Sequence, residues 1–420
     1  MSVVDVKVKS IDDSARYLYP NRIVEIKTSG KSILTPTRAA TSYEYHQKAK
    51  VPTDIPIRNP SFINIERLGF NKFQKLLKTN TYFSQLMNRL EMNNRIAQYA
   101  DLRLTLLQPA VTQKRDPKTN EITHPSPMDL LRQNKATRDM FLRFVIRLHE
   151  EARISQISIP FIELPFSSFR EMLLDINRSL ERSNRQPIFF VDPNYVNFEA
   201  AIDFIINELQ AKVVGLIYRP YKNVPLSYET LFKYVDKDVA FLSAQVYRLD
   251  TQNRDISTMH YLPFLGNDIY SVMIPIPFGK TETNVPQQEQ ESTKPPKPVK
   301  DKLEYVRFFD RKSLQVKALS DEPSIISELS NQYEKDTVIE NILEHYEEVR
   351  TDENKYSILN ALSKVNELNS SSAEFTSFQK YINENSTKDY LQEKKVLQEA
   401  LRKERLYSTG TNTFNQSKLG

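Results

Sequence analysis

Three apolar segments of the chain end on a charged residue that is followed, directly or one residue later, by proline. Asp192 closes IFFVD before Pro193, Arg219 closes VVGLIYR before Pro220, and Glu163 closes QISIPFIE. A charged side chain is costly inside a strand that is buried on both faces, and proline cannot continue a ladder of hydrogen bonds. We therefore predict that these residues lie at the carboxyl ends of buried strands.

Two carboxylates beside an arginine can carry out acid–base chemistry or bind an anionic substrate through two hydrogen bonds. We predict Glu163 and Asp192 as catalytic residues and Arg219 as a substrate-binding residue. Gln108, in LLQPAV, and Gln245, in FLSAQVYR, end two further apolar segments and are predicted to bind substrate as well. Structural alternatives stay open, because Asp192 also suits a turn or a helix cap and Arg219 with Glu163 also suits a pair that closes the site.

The stretch SILTPTRAATSYEYH (32–46) supplies a sixth candidate, Arg38, which follows Thr35, Pro36 and Thr37. A hydroxyl-rich turn with one arginine suits a phosphate or carboxylate, and we predict that Arg38 binds substrate. The alternative is an ordinary connection between a strand and a helix.

The segments that carry these residues alternate with amphipathic helical windows, which predicts parallel strands with helical crossovers. Eight segments have strand character, at 32–36, 61–65, 102–108, 156–163, 188–192, 213–219, 239–246 and 269–274. Four consecutive ends, at 163, 192, 219 and 245, are spaced by 29, 27 and 26 residues. Eight regular units predict an α/β fold of the (β/α)8 barrel type (TIM-like), whose active sites lie where the strands end. The alternative is an open doubly wound sheet.

The chain changes character near residue 280. Residues 280–302 are rich in Gln, Glu, Lys and Pro and lack apolar periodicity, which predicts a disordered linker after a barrel at 1–279. A short extended piece (303–319) and helical stripes follow, as in TVIENILEHYEEVR (337–350). We predict a small helical module over 303–407 and a flexible tail over 408–420.

The composition excludes several kinds of site. There is no cysteine, and the seven glycines are scattered, whereas phosphate-binding and dinucleotide-binding loops need clustered glycines. The five histidines show no metal-ligand spacing. We therefore predict no metal and no cofactor. No stretch reaches the roughly 18–20 apolar residues that a membrane helix needs, and the N-terminal residues lack a secretory h-region, which favours a cytoplasmic protein without a membrane partner.

The Thr35-Pro36-Thr37 stretch resembles the Thr-Pro-Thr strand of tRNA-guanine transglycosylases, which are themselves (β/α)8 barrels. The glycine-rich base-recognition strand and the cysteine-based zinc motif of that family have no counterpart in this chain. The resemblance therefore transfers no site residue.

Two functions follow as hypotheses. The first is a barrel enzyme that acts on a polar or anionic small molecule, or a nucleotide-like group, at the barrel mouth by acid–base catalysis. The second is a non-enzymatic barrel, including a transglycosylase-like one, that binds nucleic acid or protein through residues 113–153 or through the C-terminal helices. Residues 113–153 carry nine Lys or Arg against six acids, which suits a lid or a polyanion contact as well as a solvated helix face.

Overall fold

The computed structural model of the protein describes most of the chain. The described residues are 3–14, 19–28, 31–51, 57, 61–96, 100–115, 119, 121–152, 154, 156–181, 186–247, 258–272, 306–318 and 353–403. The predicted linker at 280–302, the helical stripe at 337–350 and the tail at 408–420 lie outside these residues.

The described strands form one large sheet and three small ones. In chain order they are β1 (Val3–Asp12), β2 (Asn21–Thr28), β3 (Ser32–Leu34), β4 (Thr37–Ala39), β5 (Ser61–Leu68), β6 (Leu102–Pro109), β7 (Lys114–Arg115), β8 (Ile122–His124), β9 (Gln156–Ile159), β10 (Pro187–Val191), β11 (Val213–Ile217), β12 (Ala240–Val246), β13 (Ile269–Val272), β14 (Arg307–Asp310) and β15 (Gln315–Ala318).

The described helices alternate with the strands of the large sheet. They are α1 (Ser42–Lys48), α2 (Phe70–Lys78), α3 (Asn80–Ile96), α4 (Pro127–Gln133), α5 (Lys135–Glu151), α6 (Phe166–Glu181), α7 (Phe198–Asp203), α8 (Pro225–Leu231), α9 (Glu353–Asn383), α10 (Thr387–Glu393) and α11 (Lys395–Lys403). A π-helical turn (Phe204–Glu208) extends α7, and 3-10 turns lie at Tyr221–Asn223, Phe232–Tyr234 and Thr258–Leu265.

The large sheet is a (β/α)8 barrel, as predicted. Its eight strands run parallel in the order β4-β13-β12-β11-β10-β9-β6-β5. The ring closes between β4 and β5, where the Ala40 N–H donates to the Ser61 carbonyl at 2.8 Å and the Ile63 N–H donates to the Ala40 carbonyl at 2.9 Å. Strands β9, β10, β11 and β13 are buried at every residue, which explains their nearly uninterrupted apolar sequences.

The first barrel strand is displaced from its predicted place. The stretch 32–36 was expected to form it, but Ser32–Leu34 pairs antiparallel with β2, where Ile33 lies opposite Ile26. The barrel strand is the next one, Thr37–Ala39, which pairs with β13. The two short strands follow each other so closely that their apolar patterns merge in the sequence.

The antiparallel sheet β1-β2-β3 is anchored at the amino-terminal end of the barrel. Arg22 of β2 is 2% exposed and donates two hydrogen bonds to Asp268, which precedes β13, at 3.2 and 2.7 Å. It also donates to the carbonyls of Tyr234, Val235 and Val239 at 2.8 to 3.0 Å. Burial alone disfavours the charged guanidinium, but the Asp268 carboxylate outweighs it, and the pKa of Arg22 is raised. A satisfied ion pair therefore lies at the end of the barrel opposite the strand termini that carry Asp192 and Arg219.

The C-terminal helices α9, α10 and α11 form the predicted all-helical region, and the hairpin β14–β15 precedes them within the extended piece. Helix α9 packs on β4 and on α1. The ring of its Phe375 packs on the ring of Tyr270 in β13, with the two centroids 5.3 Å apart. In a (β/α)8 barrel this position belongs to the helix that follows the eighth strand. Phe375, Phe378 and Ile382 share one apolar core with the barrel strands, so α9 completes the ring of helices.

Candidate functional site

A pocket of about 1480 Å³ opens at the carboxyl ends of the barrel strands. Five of the six residues predicted from the sequence line it: Gln108, Glu163, Asp192, Arg219 and Gln245. They come from β6, the loop after β9, the loop after β10, the loop after β11, and β12. The barrel therefore brings together residues that are up to 137 positions apart in the chain.

Asp192 and Arg219 form an ion pair in this pocket. The Nε of Arg219 donates to Oδ1 of Asp192 at 2.9 Å and Nη2 donates to Oδ2 at 2.5 Å. The Asn194 N–H also donates to Oδ1 at 2.9 Å, and the Tyr228 hydroxyl donates to the Arg219 carbonyl at 2.8 Å. The hydrogen bond that Arg219 donates to Asp192 raises the pKa of Arg219 against the opposing effect of burial. The side chain of Asp192 is 13% exposed and that of Arg219 is 33% exposed, so both remain accessible to a ligand.

Glu163 is paired with Arg132, a residue that the sequence analysis did not single out. Arg132 lies on α4, between β6 and α5, and its guanidinium donates to the Glu163 carboxylate. The helix is fixed by a capping box, in which the Asp129 N–H donates to Ser126 Oγ at 3.0 Å and the Ser126 N–H donates back to Asp129 at 3.2 Å. Hydrogen bonds from Ser126 lower the pKa of Asp129.

Gln108 and Gln245 meet across the pocket. Nε2 of Gln245 donates to Oε1 of Gln108 at 2.7 Å, although their strands lie four places apart around the ring of eight. Gln245 has a φ of +63°, in the left-handed region, and the register of β12 against β13 shifts between Ser243 and Val246. Such conformations are costly for residues other than glycine and concentrate at functional sites. The irregular backbone at Gln245 is therefore a feature that is typical of functional sites.

Arg38, which we predicted to bind substrate, does not line the pocket. Its side chain is buried and donates to Glu44, whose other oxygen accepts hydrogen bonds from Thr41 N and Oγ1 at 2.8 and 3.0 Å. Burial raises the pKa of Glu44, and the Arg38 charge opposes that shift. Arg38 lies beside Tyr270 in register, and the Tyr270 ring contacts Phe375 of α9. Because register partners share a face, Arg38 points outward, beneath the C-terminal helix.

The pocket has a second group of charges at the end of β5. Glu66 lies 3.3 Å from Lys72 Nζ and 2.9 Å from Arg89 Nη2. Arg67 follows Glu66, lines the pocket and is half-buried. Within the described part of the chain, Arg67 has no carboxylate partner. This group has no clear signal in the sequence, because β5 ends without a proline after its charged residues.

Aromatic rings form part of the pocket lining. Tyr218 and Tyr247 pack edge to face with ring centroids 5.3 Å apart, and Phe161 contacts Tyr195 at 5.3 Å. Phe70, at the start of α2, stacks on the imidazole of His124 with the ring centroids 4.3 Å apart. Tyr218, Tyr247, Phe161 and Phe70 all line the pocket. Rings beside amides and charges suit a ligand that has both a flat apolar part and polar substituents.

Three of the described residues of the 113–153 segment line the pocket. Gln113, Met128 and Arg132 line the pocket, whereas α5 packs on β9 as one of the outer helices. On α5, Arg147 pairs with Glu151 and its guanidinium lies over an aromatic ring of α3 at 4.5 Å. A lid formed by this segment and binding of a polyanion by it both stay predictions.

No family model and no curated protein matches the chain. Across the residues that the structure describes, no three His, Asp or Glu side chains are grouped closely enough to hold a metal ion. None of the described helices has the length and hydropathy needed to span a bilayer.

Proposed function

We propose that the protein is an enzyme whose active site is the pocket at the barrel mouth. It acts on a polar or anionic small molecule or a nucleotide-like group by acid–base catalysis, without a metal or a dinucleotide. The proposal is carried by one observation: Asp192, Arg219, Glu163 and the two glutamines line the same open pocket. This pocket lies at the carboxyl ends of the strands, where (β/α)8 barrel enzymes have their active sites.

Asp192 is the first catalytic residue in this proposal. Its carboxylate is oriented by the guanidinium of Arg219 and by the Asn194 N–H. A fixed orientation is what proton transfer to or from a bound substrate requires. Glu163, whose side chain is 48% exposed and paired with Arg132, is the second carboxylate. Its greater exposure suits exchange of a proton with solvent.

The charge of the pocket supports an anionic substrate. Five basic side chains line it and three acidic ones do, which leaves an excess of two positive charges: Arg67, Lys72, Arg89, Arg132 and Arg219 against Glu66, Glu163 and Asp192. Such a cleft attracts anions by its field as well as by contact. Its volume exceeds the roughly 300–1000 Å³ typical of sites for small ligands, which favours a substrate with several groups.

The first experiment is native mass spectrometry of the protein purified from its source, to identify a co-purifying ligand from which a substrate is chosen. Asp192→Asn and Glu163→Gln should each lower turnover by about 10²- to 10⁴-fold, with a melting temperature close to that of the wild type. Glu208→Gln is the matched control, because Glu208 forms an exposed pair with Arg170 outside the pocket. Unchanged turnover, or a large loss of stability with the loss of turnover, would assign both carboxylates to the scaffold.

The alternative is a non-enzymatic barrel that binds a partner. The pairing of the charges at the mouth, Asp192 with Arg219 and Glu163 with Arg132, favours it, since ion pairs can also seal a barrel. Nucleic acid or protein would then bind through 113–153 or the C-terminal helices. For the nucleic-acid version, affinity should fall steeply with salt, and binding that does not change with salt would exclude it.

A further inference from the structure

We infer that Arg67 holds the anionic group of the substrate, which the sequence analysis assigned to Arg219 and Arg38. The inference rests on the proposed function of the pocket and names the residue that recognises the charged part of the ligand. The group it would bind is an oxyanion, either a phosphate or a carboxylate.

The first observation is that Arg67 forms no ion pair with any carboxylate in the described part of the chain. Of the five basic side chains that line the pocket, four are paired: Lys72 and Arg89 with Glu66, Arg132 with Glu163, and Arg219 with Asp192. Among the residues that the structure describes, Arg67 is the one cation of the pocket without an acidic partner. An anion that binds there displaces no internal ion pair, whereas binding at Arg219 would cost the two hydrogen bonds to Asp192.

The second observation is the neighbour of Arg67 across the sheet. Arg67, near the end of β5, is in register with Gln108 of β6, so the two residues share a face. Oε1 of Gln108 accepts the hydrogen bond from Gln245, while its Nε2 has no acceptor among the described residues. An unpaired guanidinium therefore lies beside a free amide donor.

These donors match an oxyanion. A guanidinium presents a planar fork of N–H groups that binds phosphate or carboxylate through two hydrogen bonds, and a neutral amide adds a third. The half-buried position of Arg67 removes part of the competition from water. The anion subsite on β5 and β6 is thus separate from the carboxylate on β10, and a substrate that reaches both must extend across the mouth.

The test measures binding of two probes, inorganic phosphate and succinate, by isothermal titration calorimetry of the full chain at constant ionic strength. Arg67→Gln should weaken binding of the preferred probe at least tenfold. Arg89→Gln, a pocket arginine already neutralised by Glu66, should change it less than threefold, and Arg178→Gln, on the exposed face of α6, should not change it. The better probe decides between phosphate and carboxylate.

Several outcomes would overturn the inference. Wild-type affinity in Arg67→Gln, with loss in Arg219→Gln, would move the anion to Arg219 and leave the proposed function standing. Failure of the wild type to bind either probe would remove the anion subsite. The proposed function itself fails by a different result, unchanged turnover in Asp192→Asn, so the two failures can be told apart.

A second measurement uses the wild type and so covers the case in which Arg67→Gln does not fold. Phenylglyoxal modifies accessible arginines, and peptide mass spectrometry reports the rate at each one. Arg67 should react at least threefold faster than the paired Arg132 and Arg219, and the better probe should protect Arg67 specifically. Equal rates, or protection of Arg219 without Arg67, would contradict the inference.

Discussion

Arg219 holds Asp192 through two hydrogen bonds, from Nε at 2.9 Å and from Nη2 at 2.5 Å, between residues that follow neighbouring strands of the barrel. The pair lies where β10 and β11 give way to their loops, so it ties two loops together at the mouth. The Ser227 hydroxyl, in α8, also holds the loop after β10 by donating to the Pro193 carbonyl at 2.6 Å. These contacts fix the carboxylate that we propose as catalytic.

The first prediction concerns the strength of this pair. In a double-mutant cycle with Asp192→Asn and Arg219→Met, the coupling in the free energy of unfolding should be about 1 kcal/mol, because both side chains keep some contact with water. Urea denaturation followed by circular dichroism measures it. The exposed pair Arg170–Glu208 is the control and should show less than about 0.5 kcal/mol. A coupling of zero at the mouth would mean that the pair does not persist in solution.

The second prediction concerns the opposite end of the barrel. Arg22→Met should lower the free energy of unfolding by about 3–5 kcal/mol, because it leaves the buried Asp268 carboxylate without its cation. Adding Asp268→Asn should recover part of the loss, since an amide removes the uncompensated charge. Urea denaturation of the single and double variants provides the comparison. A double variant less stable than Arg22→Met would contradict this account.

The third prediction concerns the attachment of α9. Phe375→Ala should cost about 3–5 kcal/mol of unfolding free energy, because the ring is buried against His260 and Tyr270. The adjacent Thr376→Ala, on the exposed side of the helix, should stay within about 0.5 kcal/mol of the wild type. Loss of the helical circular dichroism signal before the barrel unfolds would instead show that α9 is a separate unit.

The fourth prediction concerns His260 and pH. The imidazole is stacked between Phe309 and Phe375, and burial, with the nearby charges of Lys394 and Arg38, lowers its pKa from 6.5 to about 3. Between these values the unfolded chain binds a proton that the folded chain does not, so the stabilisation is complete above pH 6.5 and is lost as the pH falls towards 3. The unfolding free energy should therefore rise with pH across this range.

The His260→Phe variant isolates this effect. It should show a flatter dependence of the unfolding free energy on pH between 3 and 6.5 than the wild type, because one of the titrating groups has been removed. Parallel curves for His260→Phe and the wild type would show that His260 does not resist protonation in the folded protein.

The barrel itself was predictable because buried parallel strands leave regular apolar segments in the sequence. Seven of the eight predicted segments overlap a barrel strand, and several ended within a residue or two of the observed bounds, as for 102–108 against Leu102–Pro109. The first strand was missed because Thr37–Ala39 has only three residues. A strand that short carries no periodicity, and the apolar pattern before it belongs to β3. The helix that completes the ring could not be assigned, because it is far from β13 in the chain.

The candidate site was predictable where a charge meets a proline at a strand end. That signal found Asp192, Arg219 and Glu163, and the ends of β6 and β12 found the two glutamines. Arg38, which was predicted from a hydroxyl-rich turn instead, does not line the pocket, because its place in the short strand β4 turns its side chain outward. The partner of Arg38 is Glu44, and the capping-box spacing of Thr41 and Glu44 is the sequence signal that could have indicated it. What stays a prediction is the chemical role of each residue.

The position of α9 has a consequence for synthesis of the protein. All eight barrel strands are synthesised before the helix that covers β4 and β13. We therefore expect the nascent barrel to leave the ribosome with an apolar surface exposed over these two strands. This surface can be covered only after residues Glu353–Asn383, which form α9, have been synthesised. We therefore expect a chain that ends before α9 to be degraded faster in cells than a chain that includes it.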